Sequence, residues 1–282
     1  MTAPQHPRAQ MPLREHLREL RRRLVISLAA IAVGAVVGWI YYTPIFDVIS
    51  QPIQDVVDQA AAEGRDVRLV VAGVTDAFML QVKVAALSGV VLASPVWIYQ
   101  LWAFVTPGLH AKERRWVYLF VVISVPLFLG GVVLAYVLMP KGLEVLLGFT
   151  PQNVGNYLPV DRYLSFFLRM VIVFGIGFLT PLFIVGLNML GILSGKRLAQ
   201  AWRYIIFGVF VFAAVATPTG DPITMMLLAT PVLLLVGGAV VFSLLNDRRR
   251  RRNGAEPDYD QWDDDEVSPI AETVEGDDPS RR

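Results

Sequence analysis

The 282-residue chain has no cysteine and only three histidines, and just 17% of its residues are charged. Without cysteine, neither a disulfide framework nor a thiolate site can form. The histidines, His6, His16 and His110, are not spaced as metal ligands, and none lies beside a serine within an apolar run. We therefore expect no metal site and no catalytic residue, and we do not expect an enzyme.

Apolar residues dominate instead: the hydrophobic fraction is 55% and the mean hydropathy is +0.52. About 20 consecutive apolar residues cross a hydrocarbon core roughly 30 Å thick. We predict an all-α integral membrane protein with six transmembrane helices at about 24–43, 74–98, 116–139, 163–192, 202–217 and 222–245. Proline inside three of these spans (Pro126, Pro181 and Pro231) predicts kinked helices and a curved bundle.

Basic residues predict the orientation of the spans. Nineteen of the 25 Lys and Arg residues fall on one side of the predicted topology, and basic flanks resist translocation. Both termini are therefore predicted to be cytoplasmic. The chain divides into a cytoplasmic N-terminal helix (1–23), a six-span membrane domain (24–245) and a disordered charged tail (246–282), which begins near five consecutive arginines at 248–252.

Two connecting segments have distinct patterns. The external segment 44–73 alternates acidic and apolar residues, which predicts one or two amphipathic helices broken at Pro52 and Gly64. The cytoplasmic segment "SPVWIYQLWAFVTPGLHAKERR" (94–115) is rich in aromatic residues. It is expected to be ordered, because such side chains need a packed surface or the lipid interface.

Three charged residues lie within or beside the spans, where an unpaired charge costs several kcal/mol. Lys83 is expected to extend outward to water. Arg169 either does the same or is a hydrated, inward-facing cation. Asp221 either caps the sixth span or lies in a wet cavity. The fifth span has only 14 apolar residues and reaches about 21 Å, so either the bilayer thins there or Asp221 lies at membrane depth in such a cavity.

The segment "MPLREHLRELRRRL" (11–24) places two glutamates among arginines just before the first span. Leucines recur at helical spacing and form an apolar stripe. Glu19 faces Arg22 and Arg23 at i+3 and i+4, so it can be an ordinary ion-pair partner. Alternatively, Glu19 and Glu113, both on the cytoplasmic side, receive two adjacent arginines from a partner, because carboxylate and guanidinium pair through directional bonds.

These two cytoplasmic segments, together with "TPTGD" between the last two spans, resemble the TatC family, the multispanning receptor subunit of the twin-arginine protein translocase. The resemblance covers about residues 12–245. It implies export of folded proteins, driven by the proton-motive force without a cofactor, in the bacterial cytoplasmic membrane. The implied partners are twin-arginine signal peptides, single-span TatA-type and TatB-type subunits, further copies of the chain and membrane lipid. No nucleic acid is implied.

The resemblance also assigns roles to individual residues. It implies signal-peptide binding by one group of residues: Glu19, Glu113, Arg21, Phe104 and Pro107. Partner docking or a structural role is implied for Pro52 and Asp221. Leu179 and Met225 occupy positions where the family often has polar residues, and Arg169 is a candidate local replacement for that polarity.

Two other functions remain open on the residues alone. A proton-coupled small-molecule transporter would use Asp221, Lys83 and Arg169, and it would place paired polar residues near the middle of several spans. Most spans here lack such residues. A structural membrane scaffold would not require carboxylates at both Glu19 and Glu113.

Overall fold

The computed structural model describes residues 13–105, 114–151, 155–189, 191–216 and 222–252. Two short strands and nine helices occur in these ranges. In chain order they are α1 (Leu13–Ile40), α2 (Tyr42–Ala62), β1 (Val67–Val70), α3 (Asp76–Leu92), α4 (Ser94–Val105), α5 (Arg114–Gly148), β2 (Asn156–Pro159), α6 (Val160–Met189), α7 (Gly195–Gln200), α8 (Trp202–Ala216) and α9 (Pro222–Arg252).

Four of these helices are long and apolar enough to cross a membrane: α1, α5, α6 and α9. The bent pair α3 and α4 meets the same test when its two helices are taken together. The prediction of a helical, multi-pass membrane protein is therefore confirmed. The 15 residues of α8 extend only about 22 Å, shorter than a usual span, so the count of six remains a prediction.

The predicted second span, 74–98, is not one straight helix. It divides at Ala93 into α3 and α4, whose axes differ by 56°. Pro95 has no N–H with which to continue the hydrogen-bond ladder of α3. The N–H groups of Val96 and Trp97 instead donate to the Ala93 carbonyl, at 2.9 and 3.1 Å, and these bonds begin α4.

The segment after α1 also differs from expectation. The predicted break at Pro52 is wrong, because α2 continues through this residue. The Pro52 ring is buried, whereas Val48, whose carbonyl loses its helical partner, lies on an exposed part of α2 where water can bond to it. The predicted break near Gly64 is confirmed, and Gly64 has a φ of 77° that favours glycine.

The two strands were not predicted. Val67–Val70 pairs in parallel with Asn156–Pro159, so the segment after α2 is joined to the segment after α5. Near these strands α2 packs its buried residues against α5. The Tyr163 hydroxyl of α6 donates to the Ile49 carbonyl of α2 at 2.6 Å.

Close packing of small residues joins α1 to α3. A Cβ added at Gly38 would lie 2.4 Å from Ser88 Cβ, and one added at Gly34 would lie 3.0 Å from Gly89 Cα. Helices in lipid associate through such van der Waals contact, since lipid tails are as apolar as the side chains. In the apolar stretch of α1 that could cross a membrane, only 11% of the residues are buried within the chain, against 50% in that of α6. Helix α1 therefore lies at the periphery of the bundle.

Candidate functional site

Glu19 lies on the second turn of α1, and its carboxylate binds a guanidinium of the same helix. Arg23 donates to Glu19 Oε1 from Nη2 at 2.5 Å and from Nε at 3.1 Å. The predicted i, i+4 pair is therefore present. The two side chains are 28% and 22% exposed, so both groups are partly shielded but reachable from solvent.

A cavity of about 240 Å³ opens beside this pair. We call it the Glu19 pocket; its lining residues are Glu19, Arg22, Arg23, Ile26 and Gln100. Gln100 comes from α4, and its Oε1 accepts a 3.3 Å hydrogen bond from Arg23 Nη1. The pocket therefore combines one carboxylate, two guanidinium groups, an amide and an apolar wall, which suits it to exchange of cationic groups.

Aromatic packing fixes α4 against α5 and α6 and joins its end to α1. Trp102 is 2% exposed, stacks on Phe120 and Phe183, and donates from Nε1 to Ser124 Oγ at 2.7 Å. One face of α4 is thus held in the core. At its end, Phe104 stacks on His16 of α1 with ring centroids 4.7 Å apart. The expected order of the aromatic segment is confirmed for its helical part.

The remaining predicted peptide-binding residues do not meet at this pocket within the described part of the chain. Arg21 is exposed, and its position two residues from Glu19 places it about 200° around α1, on another face. Glu113 and Pro107 lie outside the described residues, and so does Asp221. Among the described residues of this group, Phe104 contacts His16, which lies about one turn before Glu19 on α1.

Pro52 and Arg169 are described, but neither lines this pocket. Pro52 is buried on α2 beside Ile53, which fits a packing role. Arg169 is exposed on α6, and it has no ion-pair partner among the described residues. Leu179 is 3% exposed within an apolar cluster, so its side chain is not available at the surface.

A second charged site was missed by the sequence analysis. Lys83 Nζ on α3 forms a salt bridge to Asp161 Oδ1 on α6 and donates to Ser165 Oγ at 2.8 Å. The sequence analysis expected Lys83 to extend outward to water and named no partner; its Nζ pairs with a carboxylate 78 positions later, in the first turn of α6, which offsets its charge. We call these three residues the Lys83 cluster. The available signal was an acid just before the predicted fourth span.

Comparison with known proteins identifies the family. The family model for the Sec-independent protein translocase protein TatC matches residues 15–231. TatC of Xylanimonas cellulosilytica is 41% identical over 225 residues, covering 80% of each chain, and TatC of Frankia casuarinae is 45% identical over 269 residues, covering 93% of this chain and 73% of its own. Both are named Sec-independent protein translocase proteins.

A solved structure agrees with the sequence comparison. The crystal structure of a twin arginine translocase receptor, TatC, matches with a TM-score of 0.71 at 33% identity, covering 83% of this chain and 100% of that one. The family is a component of a protein translocase and not an enzyme family, in agreement with the sequence analysis. The chain therefore belongs to the TatC family of Sec-independent protein translocase proteins.

Proposed function

We propose that the chain is the receptor subunit of a twin-arginine translocase in the bacterial cytoplasmic membrane, with six spans and both termini in the cytoplasm. In this role it binds the paired arginines of signal peptides on folded cargo proteins. Export is driven by the proton-motive force, and the chain itself makes and breaks no covalent bond.

One observation carries this proposal: a carboxylate at the edge of an open pocket already binds a guanidinium. Glu19 accepts two hydrogen bonds from Arg23 next to a cavity of about 240 Å³. A site that binds one guanidinium through Glu19 has the chemistry to bind another from a peptide. We assign Glu113 to the second arginine, and Arg21, Phe104 and Pro107 to shaping the surface around both.

Peptide crosslinking to the purified full-length protein tests the assignment. A signal peptide carrying Arg-Arg is compared with the same peptide carrying Lys-Lys, on the wild type, Glu19→Ala and Glu113→Ala. We expect each substitution to reduce Arg-Arg crosslinking at least about tenfold, because a lost hydrogen bond to a charged group costs about 1.5–3 kcal/mol. Glu15→Ala, one turn earlier in α1, is the matched control. Equal crosslinking of both peptides to all variants would reject the assignment.

We further propose that the membrane-facing side of the chain recruits single-span TatA-type and TatB-type subunits, with self-association of the chain. The observation favouring Arg169 as a contact is its exposure on α6 without an ion-pair partner among the described residues. A cation at this depth is stabilised by a polar group of a neighbouring helix. Asp221 and Pro52 are proposed to act in docking or in supporting the docking surface.

Export assays in cells separate this role from a purely structural one. We expect Arg169→Leu to lower export of a folded cargo and to weaken co-purification of the single-span subunits. Arg162→Leu, seven residues earlier on the same face of α6, is the control. Retained export and co-purification in Arg169→Leu would exclude this residue from docking.

A further inference from the structure

We propose that Arg23 is an internal competitor that occupies Glu19 in the unliganded receptor, so that a signal peptide binds only by displacing it. This inference rests on the receptor function proposed above. It adds Arg23 as a residue that limits how tightly the site binds a peptide.

The geometry leaves room for an exchange. Both hydrogen bonds from Arg23 end on the same oxygen, Glu19 Oε1. No other described side chain donates to Glu19 Oε2, and the carboxylate borders the open cavity. An incoming guanidinium can therefore bond to Oε2 before Arg23 leaves Oε1. The exchange does not require α1 to separate from any other helix, because Arg23 and Glu19 belong to the same one.

Gln100 gives the displaced guanidinium a second acceptor. Arg23 Nη1 lies 3.3 Å from Gln100 Oε1, and α4 is held in place through buried Trp102. When Arg23 releases the carboxylate, this neutral amide still accepts from it, so the cation is not left without a hydrogen bond in a partly shielded place. Arg23 is thus kept beside Glu19, ready to bind again when the peptide leaves.

Competition of this kind has a definite thermodynamic signature. Arg23 stabilises the unliganded site, and it lowers the apparent affinity of every ligand that needs Glu19 by the same factor. It therefore leaves the ratio between Arg-Arg and Lys-Lys peptides unchanged. Its effect is to weaken the binding of every peptide, so that a peptide with two well-placed guanidinium groups still binds while a weaker one does not.

Equilibrium binding to the purified full-length protein tests the proposal. Fluorescently labelled Arg-Arg and Lys-Lys signal peptides are titrated against the wild type, Arg23→Gln and Arg22→Gln. We expect Arg23→Gln to tighten binding of both peptides by about two- to fivefold, the range for loss of a partly exposed ion pair. Arg22→Gln is the matched control, since Arg22 lines the same pocket and carries the same charge but does not bond to Glu19.

Two results would contradict the proposal. Unchanged or weaker binding in a folded Arg23→Gln protein would overturn the proposal, and equal tightening in both arginine variants would assign the effect to net charge instead. In the Glu19→Ala background, Arg23→Gln is expected to change nothing, because no carboxylate remains to compete for. Should Arg23→Gln fail to fold, Arg23→Lys keeps the charge and is expected to tighten binding less, but in the same direction.

Failure of the receptor function itself looks different. In that case the wild type would bind Arg-Arg and Lys-Lys peptides equally and Glu19→Ala would have no effect, which would remove this inference as well. A wild type that prefers Arg-Arg and loses binding in Glu19→Ala, combined with an Arg23→Gln protein that binds as the wild type does, would reject only the competitor role.

Discussion

The Glu19 pocket and the Lys83 cluster each contain one acid–base ion pair of similar exposure, but they join the chain differently. Glu19 and Arg23 are 28% and 22% exposed and lie one turn apart on α1. Lys83 and Asp161 are 28% and 29% exposed and connect α3 to α6 across 78 positions. The first pair can open without moving a helix, whereas the second cannot open without leaving charges unpaired between two helices.

This difference separates a binding site from a structural contact better than burial does. An ion pair within one helix contributes little to the fold, so its carboxylate is free to exchange partners. An ion pair between helices within a membrane protein opposes their separation, because each partner alone is costly there. Substitutions that act on one site and not on the other will test the distinction.

The largest effect is expected from Trp102→Ala, which removes the support of the Glu19 pocket while leaving the Lys83 cluster intact. Loss of a buried tryptophan costs about 3–5 kcal/mol in soluble cores, and we expect the low end here because lipid weakens the hydrophobic term. Thermal unfolding in detergent measures the loss, with Tyr99→Ala on the exposed side of α4 as control. Equal losses in both variants would show that α4 is not anchored by this face.

An intermediate effect is expected from Lys83→Met, which leaves Asp161 without its cation. We expect a loss of about 1–3 kcal/mol in the free energy of unfolding. Adding Asp161→Leu should restore most of it, since no unpaired charge then remains. A double-mutant cycle on thermal unfolding checks this coupling, and simple additivity of the two losses would contradict it.

The smallest effect on stability is expected from Arg23→Gln. An i, i+4 pair on a helix contributes about 0.3–0.5 kcal/mol, so the midpoint of thermal unfolding should hardly move even though peptide binding changes. The same unfolding assay provides the measurement. A loss as large as that of Lys83→Met would mean that the Glu19 pair is structural, and the contrast between the two sites would fail.

The sequence of α1 predicted one of the two side-chain contacts at the Glu19 pocket, but not the other. The pairing of Glu19 with Arg23 follows from helical periodicity, because both residues lie on one turn of α1. Gln100 could not be found in this way, since its contact depends on where α4 packs. Asp161 was missed for the same reason: its partner Lys83 lies on another helix, and short-range patterns carry no information about such contacts.

The membrane helices were predictable from apolar runs, but the details at prolines were not. Pro95 lies where α3 ends and α4 begins, whereas Pro52 lies within an unbroken α2. The same missing N–H has two outcomes because the surroundings differ: at Pro52 the freed carbonyl belongs to an exposed residue, and buried neighbours hold the helix together. The two strands, each four residues long, are too short to show a periodic pattern.

The pairing of Val67–Val70 with Asn156–Pro159 has a consequence for the order of assembly. The first strand is synthesised with the segment that follows α2, but its partner follows α5, roughly 90 residues later. At usual rates of synthesis of about 5–20 residues per second, β1 remains unpaired for at least several seconds. The two-stranded sheet is therefore completed late, after α1, α3 and α5 have all been made.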